Sequence, residues 1–156
     1  MLDFYARLPK KRMAAGALFL DENSKILIVK PTYQTGWLLP GGIVELDESP
    51  AKACAREVEE ELSLKIHIER LLCVDYTAKT DEKSESLQFV FQGGILNQEQ
   101  ITSITLAETE LSEYRFVKLE EALSLLNSHI ALRLPSCLQA LKQHTAFYLE
   151  EGRDIQ

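Results

Sequence analysis

Between Glu45 and Glu61 the chain carries Glu45, Asp47, Glu48, Glu57, Glu59, Glu60 and Glu61 against only Lys52 and Arg56. That is a net charge of −5 within 17 residues, leaving −2 for the other 139 of the 156. Like charges at this density oppose compaction, so a fold built on this segment must supply a partner for the carboxylates or leave them in water. In the middle of the run stands Ser49-Pro50, a helix start, because serine suits the N-cap and proline the first helical position. The spacing predicts a helix from Pro50 to about Leu62. At about 100° per residue, Ala51, Cys54, Ala55, Val58 and Leu62 share one arc and form its buried stripe. Glu57, Glu60 and Glu61 occupy the arc beside it, with the small Ala53 among them, and Glu59 points away.

Carboxylates at i, i+3 and i+4 repel one another by a few tenths of a kcal/mol per pair even in water. A hard divalent cation such as Mg²⁺ or Mn²⁺ removes that cost, since it takes oxygen ligands and keeps several waters. The alternative is a solvated acidic face with Arg56 and Lys52 as partners within the helix.

The rest of the sequence reads as an ordinary globular chain. Hydrophobic residues make up 46% and charged residues 26%, and neither a repeat nor a Pro/Gly/Ser linker divides it. Residues 1–12 form an N-terminal arm with a basic stretch, Arg7-Leu8-Pro9-Lys10-Lys11-Arg12, and 13–150 read as a single domain. Met13–Leu20 and Lys25–Lys30 are expected to form a hairpin around 21–24. Further extended segments are expected at 37–39, 66–68, 71–78, 87–91 and 114–117, and helices at 119–126 and 136–149 with Pro135 as the break between them. Strands mixed with a few helices, without a regular βαβ repeat, predict an α/β fold with a mixed sheet covered by helices. No apolar run approaches the roughly 18 residues of a membrane span, and no charged-then-apolar leader opens the chain. Cys54, Cys73 and Cys137 are odd in number and irregularly spaced, which suits core positions in reducing cytoplasm. A net charge of −7 argues against coating a nucleic-acid polymer.

Gly42, Glu48 and the run Arg56-Glu57-Val58-Glu59-Glu60-Glu61-Leu62-Ser63-Leu64 together resemble the Nudix box of the Nudix hydrolases. Six fixed matches at this spacing arise by chance with odds on the order of 10⁻⁵. The segments Trp37–Gly41 and Glu113–Val117 are similar to the family's flanking pieces. The resemblance implies an α/β/α sandwich and Mg²⁺-dependent hydrolysis of a nucleoside diphosphate linked to another group. It makes Glu57, Glu60 and Glu61 the metal carboxylates, with the Gly41 backbone carbonyl a further ligand and Mn²⁺ a substitute ion. Glu48 and Arg56 would form the ion pair that ties loop to helix, and Glu57 would orient or deprotonate the attacking water. A base or extra ligand from a later loop has three candidates, Glu108, Glu110 and Glu113. Two positions depart from the family pattern: Ser63 and Asp47 stand where glycine is common.

Other features carry less. The histidines His67, His129 and His144 lack metal-ligand spacing, and Tyr33, Trp37 and Tyr76 are aromatic faces able either to stack on a base or to pack on the sheet. Where ADP-ribose pyrophosphatases often carry a proline after the box, Thr80-Asp81-Glu82 stands instead. That shifts the expected substrate toward a (deoxy)nucleoside triphosphate or a sugar nucleotide. An ADP-ribose pyrophosphatase without its marker, and a Nudix-fold sensor that binds a nucleotide without turnover, remain as alternatives. The expected partner is a small nucleotide, and similar proteins include homodimers. On this reading Glu60→Gln abolishes turnover while the protein still folds, since a clustered charge is removed; full activity or an unfolded variant would count against it.

Overall fold

The computed structural model describes residues 2–156. A short helix, α1 (Leu2–Ala6), precedes β1 (Arg12–Leu20) and β2 (Ile26–Pro31). The chain continues through β3 (Gly41–Ile43), α2 (Pro50–Leu62), β4 (Leu71–Thr77), β5 (Ser86–Ile95), α3 (Gln98–Ser103) and β6 (Leu111–Val117). It ends with α4 (Leu119–Leu125), α5 (Ser128–Gln143), β7 (Phe147–Glu150) and β8 (Arg153–Asp154). The strands form one mixed sheet in the order β6-β2-β1-β5-β4-β7-β8, and β3 adds to β1. β1 runs parallel to β5 and β4 parallel to β7, while the other pairs are antiparallel.

Alternation along the central strands sorts side chains to two cores. Ala15, Ala17 and Phe19 of β1 and Leu27 and Val29 of β2 meet Ala53, Cys54, Val58 and Leu62 of α2 on one face. On the other face Leu18, Ile26 and Ile28 pack with Leu134, Cys137 and Ala140 of α5 and with Ala122 of α4. β2 is apolar from Ile26 to Val29 because it is covered on both sides. The expected α/β/α sandwich is therefore the observed architecture. All three cysteines are buried and unbridged, with the Sγ atoms of Cys73 and Cys137 3.5 Å apart.

Several boundaries differ from expectation. The last helix begins at Ser128, and Pro135 lies inside it rather than before it. Pro135 is on the exposed face, so the helix loses one outward hydrogen bond while Leu134, Cys137 and Ala140 keep their seats against the sheet. Phe147–Leu149 belongs to β7 instead of this helix, because α5 stops at His144 in a left-handed conformation with φ 51°. Residues 66–68 pair with no strand. β3 went unrecognised in a Gly-Gly-Ile sequence of no strand propensity, since its pairing with Ala14–Gly16 alone creates it. α3 had a readable signal, the capping box formed by Asn97 and Gln100. In α2, Ala53 and Glu61 are buried, and Ala51 and Ala55 are half-buried, which rotates the buried stripe toward the carboxylates.

One polar contact crosses the α5 core. Arg133 Nε donates to Asp75 Oδ2 at 2.8 Å and the Gly152 N–H donates to Asp75 Oδ1 at 2.9 Å, so one buried carboxylate joins β4, α5 and the turn between β7 and β8. Removing one member of a buried pair strands the other without solvent. Asp75→Ala is expected to cost about 3–5 kcal/mol in urea denaturation, with m unchanged; a loss under about 1 kcal/mol would mean that water reaches Arg133.

Candidate active site

Helix α2 is fixed at both ends. The Ser49 side chain accepts the Lys52 N–H at its start, and Ser63 closes it at φ 59° with its N–H donated to the Glu59 carbonyl. A left-handed serine costs roughly 1–2 kcal/mol, and its hydroxyl offsets part of this by donating to the Thr105 carbonyl at 3.2 Å. Two carbonyls at this end of the helix accept from the same loop: Thr105 N–H reaches Leu62 O at 3.0 Å and Ala107 N–H reaches Glu61 O at 3.0 Å. The loop thereby delivers Glu110 to the helix. Carboxylate oxygens of Glu57, Glu61 and Glu110 lie within 4.8 Å of one another.

Arg56 organises the opposite edge. Its Nε and Nη2 donate to the two Glu48 carboxylate oxygens at 2.7 and 3.0 Å, a bidentate pair. Nη1 donates to Glu57 Oε1 at 2.9 Å and Glu60 Oε2 at 3.3 Å, while Nη2 also reaches the Ile43 carbonyl at 3.2 Å. The pair with Arg56 lowers the Glu48 carboxyl to about 2. Asp47 in the same loop sits at φ 61°, a position where aspartate is among the least strained non-glycine residues.

Gly41 and Gly42 separate this cluster from a cleft on the α5 side of the sheet. Gly41 N–H donates to Glu61 Oε1 at 2.8 Å. A Cβ on Gly42 would lie 2.7 Å from both Glu57 carboxylate oxygens, so only glycine leaves that carboxylate its place. The cleft, about 340 Å³, runs from these glycines over Ala14, Gly16 and Gln88, and continues into a second chamber of about 350 Å³ beneath the 77–86 turn.

Burial raises the Glu61 carboxyl to about 8, against the opposing Gly41 hydrogen bond and with help from Glu57, Glu110 and Glu60. Glu57 is also raised, chiefly by burial, despite Arg56. Among the described residues no lysine or arginine pairs with Glu61 or Glu110. An all-oxygen, anionic and partly desolvated donor set whose one protein counter-ion is Arg56, on Glu57, fits a hard divalent cation.

The structure thus brings together Glu57, Glu61 and Glu110, and sets Glu48 and Arg56 in the ion pair expected of them. Glu60 is half exposed and turned to Arg56. Of the three late-loop candidates Glu110 reaches the cluster, Glu113 pairs with Arg115 at 2.7 Å, and Glu108 is outside the group. Trp37 is buried in the α5 core under the Arg115 guanidinium, and Tyr76 donates its hydroxyl to Glu85. Tyr33 lines the cleft beside the carboxylates, whose charge adds to burial in raising its phenol. Sequence spacing missed Arg133 and Gln88 as residues lining the cleft, because each reaches it through packing of elements distant in the chain.

The description "NUDIX domain" matches residues 10–135, and the chain belongs to the Nudix hydrolase family. It is 30% identical over 121 residues to diphosphoinositol polyphosphate phosphohydrolase 3-alpha of Mus musculus, covering 77% of this chain and 71% of that protein. A "MutT-like protein" of Streptomyces ambofaciens is 32% identical over 63 residues, 40% of this chain and 41% of the other. Among solved structures, a UDP-X diphosphatase shares the fold with a TM-score of 0.70 at 23% identity, over 95% of this chain and 73% of that one.

The raised Glu61 carboxyl has a thermodynamic consequence. Between about 4.5, its ordinary value, and about 8, the folded state binds a proton that the unfolded chain releases. Raising pH through this window therefore destabilises the metal-free protein. A cation that replaces the proton should reverse the trend. Thermal melts in chelator should fall from pH 5 to pH 8, and the rise in Tm on adding Mg²⁺ or Mn²⁺ should be larger at pH 8 than at pH 5.5. A pH-independent rise would place the cation elsewhere.

Proposed function

We propose that this enzyme hydrolyses a phosphoanhydride bond in a nucleoside diphosphate derivative, with a (deoxy)nucleoside triphosphate or a sugar nucleotide as the leading substrate class. The observation that carries this reading is the Glu57–Glu61–Glu110 cluster, set against glycines that also wall the cleft. Those three carboxylates, Glu60 beside them and the Gly41 carbonyl would hold Mg²⁺ or Mn²⁺. When bound, the cation supplies positive charge to the diphosphate and lowers the pKa of water.

The chain's own residues account for the rest. Arg56 and Glu48 hold the loop that carries Gly41 and Gly42 against α2, so the carboxylates stay converged. Glu57 accepts from Arg56 at Oε1, and its remaining lone pairs serve the cation site and the attacking water, which it orients and whose proton it takes. The water oxygen bonds to phosphorus as the bridging P–O bond breaks, and the leaving phosphate departs with the electron pair. The apolar and small residues of the near chamber, Ala14, Leu38 and Phe89 among them, offer a surface for a base or sugar ring. No helix among the described residues is long and apolar enough to cross a membrane, and three buried, unbridged cysteines agree with a reducing compartment such as the cytoplasm.

The deciding assay measures phosphate and pyrophosphate release from (deoxy)nucleoside triphosphates, sugar nucleotides, ADP-ribose, dinucleoside polyphosphates and a diphosphoinositol polyphosphate, with Mg²⁺, Mn²⁺ or chelator. Metal-dependent turnover of one class is expected, with kcat reduced about a hundredfold or more in Glu61→Gln and Glu110→Gln. Silence across this panel from a folded, metal-binding protein would favour a nucleotide-binding role without turnover.

A further inference from the structure

The cleft has a second, electropositive end. Arg133 is only 5% exposed, yet it lines both chambers. Its Nε is committed to Asp75, while Nη1 and Nη2 find no acceptor among the described residues. Unlike Thr77 Oγ1, these amino groups are not sealed away, so they are reached from the cleft, and that is where their donors can be satisfied. The Thr77 hydroxyl lines the outer chamber and is a buried polar atom without a partner. Arg12 and Lys83 line both chambers too, and neither has a carboxylate partner among the described residues; Arg12 donates only to Ser84. Against these stand the exposed Glu82 at the rim and Asp75, already occupied by Arg133 and Gly152; His129 faces Glu151 at 3.9 Å.

We propose that Arg133, Arg12, Lys83 and the Thr77 hydroxyl form a phosphate-binding subsite at the end of the cleft remote from Glu57, Glu61 and Glu110. Three cations and a hydroxyl converging on one space suit a tetrahedral dianion, and arginine amino groups suit its oxygens in pairs. Given the hydrolytic reading above, on which this part rests, the subsite selects substrates bearing a phosphate in addition to the diphosphate that is cleaved, and so disfavours the simple sugar nucleotides of the leading class. The uncleaved phosphate anchors one end while the scissile bond lies at the carboxylates. The two sites carry opposite charge, so the substrate is also oriented along the cleft.

Inorganic phosphate titrated into the metal-free protein in chelator separates the two sites, because the bare carboxylates repel it. The titration is followed by ¹⁵N NMR of the Arg133 Nε–H and the Thr77 amide. Saturable shifts at both are expected, with binding weakened about tenfold or more in Arg12→Gln/Lys83→Gln. Arg133→Lys keeps a partner for Asp75 but cannot also serve the cleft, and should weaken binding comparably. With the substrate found in the panel, the double variant should raise KM about tenfold at unchanged kcat, and only for members with a phosphate beyond the cleaved diphosphate. Absence of saturable shifts, or shifts indifferent to both variants, would overturn the subsite. Phosphate binding without turnover of any panel member would leave the subsite standing and count against the hydrolytic reading; turnover without phosphate binding would do the reverse.

Discussion

Arg56 is the interaction on which the acidic segment depends. Glu48, Glu57 and Glu60 all reach its guanidinium, with the Ile43 carbonyl as a fourth acceptor. Without this cation the loop from Gly41 to Ser49 would bring negative charge against a negative helix face, and nothing would hold it there. With it, the loop is pinned through a planar fork that lysine could not reproduce. The pinning leaves a remainder: Glu61 and Glu110 converge with Glu57 but receive no protein cation. The same contact that stabilises the loop therefore leaves a concentrated anionic site beside it.

Placement of that site follows from the layering. α2 covers one face of the sheet and α5 the other, and the carboxylates belong to the α2 side while the cleft opens on the α5 side. The glycines of β3 lie between them, thin enough for Glu57 to press against Gly42 and for Gly41 to bond Glu61. On the proposed reading, a substrate in the cleft meets carboxylates supplied by a helix on the opposite face. The far end of the cleft, with Arg133 unpaired at its amino groups, gives the groove an electrical direction.

Much of this was legible in the residue order. The bounds of α2 and the α/β class followed from local rules of capping and periodicity, and the pairing of Glu48 with Arg56 from the resemblance to the Nudix box. Ser63 and Asp47, which stand where glycine is usual, prove to be the left-handed positions that glycine would serve, so the departure shows up as backbone strain with a compensating hydrogen bond at Ser63. The interruption placed at Pro135 was misleading because proline's local cost was outweighed by the packing of Leu134 and Cys137 on either side of it. The strand in 147–150 was hidden for a related reason: its pairing partner, β4, lies some 70 residues earlier.

Sequence by itself determined what is local: where α2 starts and stops, which of its faces is acidic, and that Arg56 and Lys52 are the cations of that helix. These depend on spacings within a few turns of helix. Only the tertiary structure decided which late-loop glutamate joins the cluster, since Glu110 is chosen over Glu108 and Glu113 by hydrogen bonds from Thr105 and Ala107 to the end of α2. It likewise decided that Glu61 is desolvated and that Arg133 faces a cleft, because burial and pairing are properties of elements packed together across the sheet.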